Sequence, residues 1–266
     1  MEITKNKLKE AFKHKPVLHG AWNGIPNTYV AEILAGSGFD WILIDAEHGP
    51  FDLNSVIYQL QAFGQFDIPV LVRPHEGNEN YIKQLLDAGV QTLLIPMVET
   101  AEQAKKMVQA MRYPPTGIRG VGTALARAAQ WNRVNNYFHE ANDQMCLIVQ
   151  VENTAGIKNL DEIINVEGVD GVFIGPADLA ASMGFIGQPD KPEVKQTVEA
   201  ALKKIRNAGK ISGVMAIAKP LAEHYINCGA NMVAIAIDTL LLAKAATDTA
   251  AGYQTESIEK KSNTKY

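Results

Sequence analysis

The sequence predicts an α/β protein whose single domain is a (β/α)8 TIM barrel. Eight short apolar segments alternate with helix-like segments along the 266 residues. The apolar segments are nearly continuous, which indicates strands buried on both faces of a parallel sheet. Eight strand–helix units in a chain of about this length are typical of a closed barrel. A doubly wound open sheet is the alternative fold.

The elements follow in a regular order. The predicted strands are Val17–Trp22, Trp41–Asp45, Pro69–Arg73, Thr92–Val98, Cys146–Val151, Gly171–Ile174, Ser212–Met215 and Asn231–Ile235. Helices that match apolar spacing of three to four residues are expected at Met1–Lys15, Tyr29–Ala35, Leu53–Phe63, Tyr81–Asp87, Ala101–Arg112, Ala155–Ile164, Glu193–Gly209, Leu221–Asn227 and Leu240–Ala251, with another opening near Asp178.

Two regions stand outside this alternation. Residues 113–143 are too long for a simple connection and predict a loop with a short helix, inserted in a barrel domain that covers residues 1–254. Residues 255–266 are polar and are expected to form a loose C-terminal tail.

Composition excludes several classes of function. The net charge is −4 and no basic stripe is present, which argues against a nucleic-acid partner. No apolar run is long enough to cross a membrane, and the N-terminus lacks the apolar core of a signal peptide, so we expect a cytoplasmic protein. Cys146 and Cys228 lie far apart in apolar surroundings, which predicts reduced core residues rather than a disulfide or a zinc site.

The segment VEGVDGVFIGPADLAASM, residues 166–183, predicts a strand, a tight turn and a helix. The turn should leave the N–H groups of Ala177, Asp178 and Leu179 without helical partners, which suits an anion. Asp178 nevertheless adds a carboxylate there, and Glu152 ends the preceding strand in the same way. Each acid alone is explained by a helix cap or a surface position. Two carboxylates on successive strand ends instead favour a hard divalent metal that holds an anionic substrate.

Other polar residues follow the strand ends, where the active site of such a barrel lies. They are Trp22, Asp45, Glu47, His48, Arg73, Glu99, Gln150 and Asp238. Glu99 and Asp238 are also explained as helix caps, Trp22 as a packing residue, and His48 as a hydrogen-bonded structural group. Arg73 is near two acids and suits bidentate recognition of a carboxylate.

Several motifs are absent from the sequence. Gly120 and Gly122 begin a dinucleotide-like pattern, but Leu125 breaks it and no strand directly precedes it. No P-loop or serine elbow is found, so no organic cofactor is expected. The lysine nearest to a strand end is Lys219, four residues past the seventh strand, which disfavours Schiff-base chemistry.

In combination, the motifs resemble those of the HpcH/HpaI-type metal-dependent (class II) pyruvate aldolases, which have a barrel of the phosphoenolpyruvate/pyruvate-domain type. The similarity extends from about Phe12 to Ala251. The residues that carry it are Asp45-Ala-Glu47-His48, Arg73, LLDAGVQTLLIPMV (85–98), YPPTGIRGVG (113–122), QVEN (150–153) and GVFIGPADL (171–179).

This resemblance implies a role for each matching residue. Glu152 and Asp178 would ligate Mg²⁺, Mn²⁺ or Co²⁺, and Arg73 would bind the keto or enolate oxygen of a 2-oxo acid. The remaining expected substrate contacts are Trp22, Gln150, Gly175, Pro176, Ala177 and Asp178, with Asp45 and Glu47 behind them.

The resemblance also implies a base and an assembly. His48 would act on a bound water together with Asp87. Asp87 ends a helix far from the mouth of its own barrel, so a neighbouring subunit would supply it. The family assembly is a homo-oligomer, expected to be a hexamer built as a trimer of dimers.

The implied reaction is reversible retro-aldol cleavage of 4-hydroxy-2-oxo acids. 4-Hydroxy-2-oxoheptanedioate, an intermediate of aromatic (homoprotocatechuate) catabolism, would give pyruvate and succinate semialdehyde. Arg119 or Arg127 is expected to bind the distal carboxylate. The alternatives are an aldolase for 2-keto-3-deoxy sugar acids, an acyl-CoA lyase of similar fold, and a non-enzymatic protein that binds 2-oxo acids.

Overall fold

The computed structural model describes the backbone of residues 1–262 and the side chains of residues 1–253. Eight parallel strands pair in sequence order and close into a barrel, since β1 also pairs with β8. The strands are β1 Leu18–Asn23, β2 Trp41–Asp45, β3 Val70–Arg73, β4 Thr92–Ile95, β5 Cys146–Val151, β6 Gly171–Ile174, β7 Ile211–Met215 and β8 Met232–Ile237. The predicted (β/α)8 fold is confirmed.

Helices surround the barrel. They are α1 Lys7–His14, α2 Thr28–Ala35, α3 Leu53–Phe63, α4 Glu79–Ala88, α5 Ala101–Met111, α6 Tyr137–Glu140, α7 Thr154–Lys158, α8 Leu160–Ile164, α9 Pro176–Ser182, α10 Pro192–Asn207, α11 Lys219–Asn227 and α12 Asp238–Ser262. Within the described residues, none of these helices is both long and apolar enough to cross a membrane.

Large side chains fill the inside of the barrel. Trp41 is fully buried and donates its indole N–H to the Leu18 carbonyl at 3.3 Å. Gly20 makes room for it, because a Cβ at Gly20 would lie 2.1 Å from the Trp41 ring. Trp22 and Phe173 pack above, with their ring centroids 5.4 Å apart. The interior is therefore a packed core and not a channel.

The N-terminal helix α1 closes the end of the barrel at which the strands begin. Its buried Leu8 belongs to the interior cluster. Asn6 caps the helix by accepting from the N–H groups of Leu8 and Lys9, and its amide donates to Thr92 Oγ1 at the start of β4. The cap thus fixes α1 to the sheet, which leaves the opposite end of the barrel open.

Some predicted bounds need correction. The helix expected at Ala155–Ile164 is divided at Asn159 into α7 and α8. The last helix, expected to end at Ala251, continues as α12 through Ser262 and so includes residues 255–262, which the sequence placed in a loose tail. Residues 263–266 lie outside the described part of the chain.

The long insertion packs at the closed end of the barrel. Tyr113, Ala129 and Tyr137 form a separate apolar cluster against Ile3 near the N-terminus. Arg127 donates to the carbonyl of Ala88 at the end of α4. The insertion therefore lies far from the strand ends that carry the polar residues.

Candidate active site

A cavity of about 560 Å³ opens at the C-terminal ends of the strands. Its walls combine polar and apolar side chains from seven of the eight strand–helix units. The lining residues are Trp22, Gly24, Asp45, His48, Gly49, Pro50, Arg73, Gln150, Phe173, Gly175, Pro176, Ala177, Asp178, Met215, Ile237 and Thr239. Six of the strand-end positions that the sequence indicated thus meet in one place, namely Trp22, Asp45, His48, Arg73, Gln150 and Asp178. Glu47 contacts Arg73 and Glu152 contacts Gln150, although neither acid is itself a lining residue.

Arg73 ends β3 and is the central cation of this cavity, with only 6% of its surface exposed. Its Nε and Nη2 donate to the two carboxylate oxygens of Asp45 at 2.9 and 2.7 Å, a bidentate pair. Its Nη1 lies 2.9 Å from Glu47 Oε2 and donates to Gln150 Oε1 at 3.3 Å. The Trp22 ring packs 5.6 Å from the guanidinium carbon. These contacts fix the plane of the guanidinium at the cavity wall.

Asp45 also shapes the loop that follows β2. Its Oδ1 accepts from the backbone N–H groups of Glu47 and His48 at 3.2 and 3.4 Å. One buried carboxylate therefore holds both Arg73 and the loop that carries Glu47 and His48.

Glu152 lies just past the end of β5 and is 3% exposed. Its Oε2 accepts from the Gln150 amide, and its Oε1 accepts from the backbone N–H of Met97 at 2.9 Å. Met97 has a left-handed backbone conformation with a φ of 55°, which is uncommon for residues other than glycine. This local strain directs the Met97 N–H towards the carboxylate.

The carboxylates at the mouth repel one another. The pKa of Glu152 is raised to about 7, mainly by burial and also by the charges of Glu47 and Asp178, which together outweigh the opposing effects of the Met97 N–H and of Arg73. Burial also raises the pKa of Glu47, and the negative charges of Asp45 and Asp178 act in the same direction. An all-oxygen donor set with excess negative charge fits a hard divalent cation, which would remove this repulsion.

The turn between β6 and α9 lies against this group. A Cβ at Gly175 would approach Glu152 Oε2 to 2.6 Å and Gln150 Nε2 to 3.0 Å, so only glycine fits there. Pro176 begins α9, and the exposed residues Ala177 and Asp178 follow at the cavity. One expectation is wrong: the Leu179 N–H donates to the Gly175 carbonyl at 3.0 Å and is not available to a ligand.

The structure does not bring His48 and Asp87 together within one chain. The His48 side chain is 70% exposed at the cavity rim, and its Nε2 lies 3.8 Å from Glu47 Oε2. Asp87 is in the last turn of α4, where its Oδ1 accepts from Arg119 Nη2 at 2.8 Å. Asp87 is not among the residues that line the cavity.

Neither arginine expected to bind the distal carboxylate reaches the cavity of its own barrel. Arg119 is fully buried in the insertion, with its guanidinium 4.4 Å from the Tyr113 ring. Arg127 donates to Ala88 at the closed end. Both positions are wrong for this role within one chain, because the insertion packs at the other end of the barrel.

Asp238 and Glu99, which the sequence also explained as helix caps, make different contacts in the structure. Asp238 accepts from the N–H groups of Gly24 and Ile25 and from the Asn23 amide, each at 2.9 Å, so it holds the loop after β1. Glu99 accepts from the Asn153 amide at 2.7 Å. Thr100, not Glu99, caps α5.

Sequence reasoning missed two contributors. The backbone of Met97 binds Glu152, and only the non-standard turn after β4 reveals it. Phe173 points into the barrel and forms part of the cavity floor beside Trp22. Side chains alternate between the two faces of a strand, and this alternation places Phe173 on the inner face. The inward position of Phe173 could therefore have been predicted from the sequence.

Comparison with known proteins decides the family. The family model described as HpcH/HpaI aldolase/citrate lyase matches residues 19–245. The chain belongs to this family. The predicted family resemblance is therefore confirmed.

Similar proteins support the same assignment over nearly the whole chain. The chain is 54% identical over 257 residues to the hydroxypyruvate/pyruvate aldolase of Deinococcus radiodurans, covering 95% of this chain and 92% of that protein. It is 51% identical over 252 residues to the 4-hydroxy-2-oxo-heptane-1,7-dioate aldolase of Salmonella heidelberg, covering 95% and 96%.

A solved structure agrees with these relatives. An HpcH/HpaI aldolase/citrate lyase family protein from Burkholderia cenocepacia superposes with a TM-score of 0.89 at 34% identity, covering 94% of this chain and all of that one. This HpcH/HpaI chain is thus an aldolase, as the sequence predicted.

Proposed function

We propose that this HpcH/HpaI aldolase uses a divalent metal to cleave 4-hydroxy-2-oxo acids reversibly into pyruvate and an aldehyde. The observation that carries the proposal is the juxtaposition of an anchored cation, Arg73, with the repelling carboxylates of Glu47, Glu152 and Asp178. A protein that only bound a 2-oxo acid would not need buried carboxylates against an anionic ligand.

Glu152 and Asp178 would hold the metal, which we propose to be Mg²⁺, Mn²⁺ or Co²⁺. When bound, such an ion supplies Lewis-acid polarisation of a carbonyl oxygen. Gln150 and the Met97 N–H fix the Glu152 carboxylate, so its orientation is set before any ligand arrives. The Gly175–Asp178 turn would hold the substrate carboxylate beside it, through the amides of Ala177 and Asp178.

The chemical step begins at the C4 hydroxyl of the substrate. A base removes the hydroxyl proton, the C3–C4 bond breaks, and the aldehyde forms at C4. The bonding pair becomes the C2–C3 double bond of the enolate, which leaves negative charge on the C2 oxygen. Protonation at C3 then gives pyruvate.

Arg73 would stabilise the charge that develops on the C2 oxygen. Its Nε and Nη2 are committed to Asp45, so Nη1, which lies 2.9 Å from Glu47 Oε2 and makes a longer contact with Gln150, is the nitrogen that can also donate to substrate. A fixed donor costs little reorganisation as the charge forms, which is why such groups contribute strongly to catalysis.

We assign the base to His48 with a carboxylate partner from a second copy of the chain. His48 is exposed at the rim, and Asp87 is half-buried on a different face of the molecule. α12 supports an oligomer, since Leu240, Leu241 and Leu242 are each at least half exposed. We propose a homohexamer, a trimer of dimers, in which Asp87 from one subunit approaches His48 of another.

The residues of the cavity constrain the identity of the aldehyde less than that of the 2-oxo acid. The Deinococcus and Salmonella relatives carry names for different substrates. Arg73 and His48 are the only cationic or potentially cationic side chains among the described lining residues, and Arg73 is engaged by carboxylates. We favour 4-hydroxy-2-oxoheptanedioate, with its distal carboxylate bound by a group from the adjoining subunit, in the cytoplasmic catabolism of aromatic compounds.

The charges of the lining residues are also compatible with a second substrate. Because the described lining residues include no free cation for a distal carboxylate, hydroxypyruvate as the nucleophile, with a small aldehyde, fits the cavity equally well in charge. This alternative retains the same metal, arginine and base.

The experiment is a cleavage and condensation panel. Purified protein with Mn²⁺ is assayed for pyruvate release from 4-hydroxy-2-oxoheptanedioate, and for condensation of pyruvate or hydroxypyruvate with succinate semialdehyde and with glycolaldehyde. Borohydride with pyruvate should form no covalent adduct, because no lysine is among the described cavity residues and Lys219 is exposed. A lysine adduct or absence of all these activities would contradict the proposal.

A further inference from the structure

A second group of metal-ligand side chains lies on the outer helices, away from the cavity. Glu199 of α10 and His224 of α11 meet with Oε1 and Nε2 2.8 Å apart. The Cys228 thiol sulfur, directly after α11, lies 3.9 Å from the same Nε2. Among the residues whose side chains are described, these form the only set of three His, Cys, Asp or Glu ligand atoms within 4.8 Å of one another.

The helices explain why these residues meet. His224 and Cys228 are four positions apart, so they lie on the same face of α11, one turn from each other. Cys228 is the C-cap of α11, at the end of the barrel where β8 begins. α10 packs alongside and contributes Glu199 from its middle. The cluster is therefore on the opposite end of the barrel from the cavity.

Burial differs across the three groups. Cys228 is only 8% exposed, the Glu199 side chain is 26% exposed, and the His224 side chain is 49% exposed. The sulfur is thus on the protein side of the cluster, and the imidazole forms its solvent edge. An ion can enter past the histidine without unfolding of the helices.

The geometry does not suit a nucleophilic thiol. In a cysteine–histidine–carboxylate triad the two ring nitrogens contact different partners, whereas here Nε2 faces both Sγ and Oε1. Burial and the Glu199 charge also raise the pKa of the Cys228 thiol, against a smaller opposing effect of Lys203. The three ligand atoms instead converge on one point, which is the arrangement a metal ion requires.

We propose that Glu199, His224 and Cys228 form a second, thiophilic metal site that binds Zn²⁺ and links α10 to α11. Thiolate, imidazole and carboxylate are the ligands of protein zinc, and three of them leave a fourth position for water. On binding, the S–H bond breaks, its proton passes to solvent, and a Zn–S bond forms. No electron transfer or other reactant is involved.

Small movements would create the site. Zn–S and Zn–N distances of about 2.3 and 2.0 Å in a tetrahedral site place sulfur and nitrogen about 3.5 Å apart. The present 3.9 Å is close to this value. The histidine and glutamate must separate by about half an ångström, which their partial exposure allows.

This site differs in chemistry from the cavity. The proposed cavity ligands are oxygen atoms, which suit hard ions, whereas sulfur and nitrogen select softer ones. The sequence-based expectation that neither cysteine binds zinc rested on the wide separation of Cys146 and Cys228 in the sequence and on their apolar surroundings. It overlooked the His224–Cys228 pair on one helix face and a third ligand from another helix.

Cobalt spectroscopy tests the proposal on the full-length protein. Co²⁺ added to reduced, metal-free protein should give one equivalent of thiolate-to-cobalt charge-transfer absorption. Cys228→Ser should abolish this band. Two controls should retain it: Cys146→Ser, which removes the other buried thiol, and Asp178→Asn, which changes the oxygen site. Absence of the band in wild-type protein, or its persistence in Cys228→Ser, would overturn the proposal.

Thermal unfolding with Zn²⁺ gives a second measurement, which does not depend on the Cys228→Ser variant. Zn²⁺ at about a hundred times its dissociation constant should raise the Tm of wild-type protein by several degrees. His224→Gln should lose most of this rise, whereas His14→Gln, an exposed histidine elsewhere, should keep it. Equal rises in wild type and His224→Gln would contradict the site. Mg²⁺-dependent cleavage should be unchanged in His224→Gln.

Discussion

Arg73 shows how a single side chain is prepared for its role before substrate arrives. Asp45 binds two of its nitrogens, and Glu47 and Gln150 contact the third. Replacing a planar, five-donor group held in this way removes both the charge and its orientation. The residue is therefore the most direct target for a mutation at the residue scale.

We predict that Arg73→Ala lowers kcat by roughly 100-fold or more, the scale expected for loss of one key electrostatic donor. Arg73→Lys should restore only part of the rate, because an ammonium cannot make the bidentate contact with Asp45. Steady-state kinetics of pyruvate release measure both variants. The control is Arg133→Ala, an exposed arginine in the insertion, which should be unchanged.

If Arg73→Ala left kcat for pyruvate release intact and altered only the KM for the aldehyde in the condensation direction, its assignment to the enolate oxygen would be wrong.

Glu152 makes the stability of the metal-free protein depend on pH. Its pKa is raised from 4.5 to about 7 by burial and by Glu47 and Asp178. Between these values the folded state keeps a proton that the unfolded chain has lost, so stability decreases as the pH rises and the loss is complete above the folded-state pKa. The contribution is about 3 kcal/mol at most.

Urea unfolding of metal-free protein at several pH values measures this effect. The free energy of unfolding of the wild-type protein should decrease between pH 5 and 8 relative to that of Glu152→Gln, because glutamine cannot ionise. Saturating Mn²⁺ should cancel the loss in wild type, because a metal binds the ionised carboxylate. Parallel pH profiles for wild type and Glu152→Gln would show that Glu152 titrates normally.

At the scale of elements, the turn between β6 and α9 packs directly against Glu152 and Gln150 at the barrel mouth. Gly175 lies so close to Glu152 and Gln150 that a methyl group there would displace the carboxylate. We predict that Gly175→Ala weakens metal binding at least tenfold, the scale of losing a residue that orients a ligand. Calorimetric titration with Mn²⁺ measures the change.

Gly122→Ala is the matched control, since a Cβ there would meet no atom within 4 Å. Unchanged Mn²⁺ affinity in Gly175→Ala would mean that the turn can shift without disturbing Glu152.

The strands were predictable because a barrel strand is buried on both faces and leaves a continuous apolar segment, as in Trp41–Asp45. The polar residues at the strand ends followed from that assignment. Contacts between distant segments were not predictable. Arg119 and Asp87 pair only because the insertion folds under the barrel, and the Met97 turn depends on Glu152.

Element ends were also harder to predict than element positions. α12 continues through Ser262 although its sequence becomes polar, so the apolar spacing did not indicate where this helix ends. Residues that serve another subunit leave no pattern within one chain. The predicted partnership of His48 with Asp87 is of this kind.

At the scale of the whole molecule, that partnership requires an assembly. His48→Ala and Asp87→Asn should each reduce cleavage strongly and leave metal binding nearly intact, since neither residue is a proposed ligand. Mixing the two inactive proteins under conditions that exchange subunits should regenerate sites with both wild-type residues. The activity of the mixture should then exceed that of either variant.

Mass spectrometry must confirm that mixed oligomers have formed. Verified mixed oligomers that remain as inactive as their parents would limit Asp87 to its observed pairing with Arg119.

The proposed metal dependence of carbon–carbon cleavage is tested most directly by removing the metal. Protein dialysed against EDTA and verified as metal-free is assayed for pyruvate release from 4-hydroxy-2-oxoheptanedioate, before and after addition of Mg²⁺, Mn²⁺ or Co²⁺. We predict background activity without metal, recovery in wild type on addition, and no recovery in Glu152→Gln. A full rate of cleavage by the verified metal-free protein would contradict the proposed mechanism.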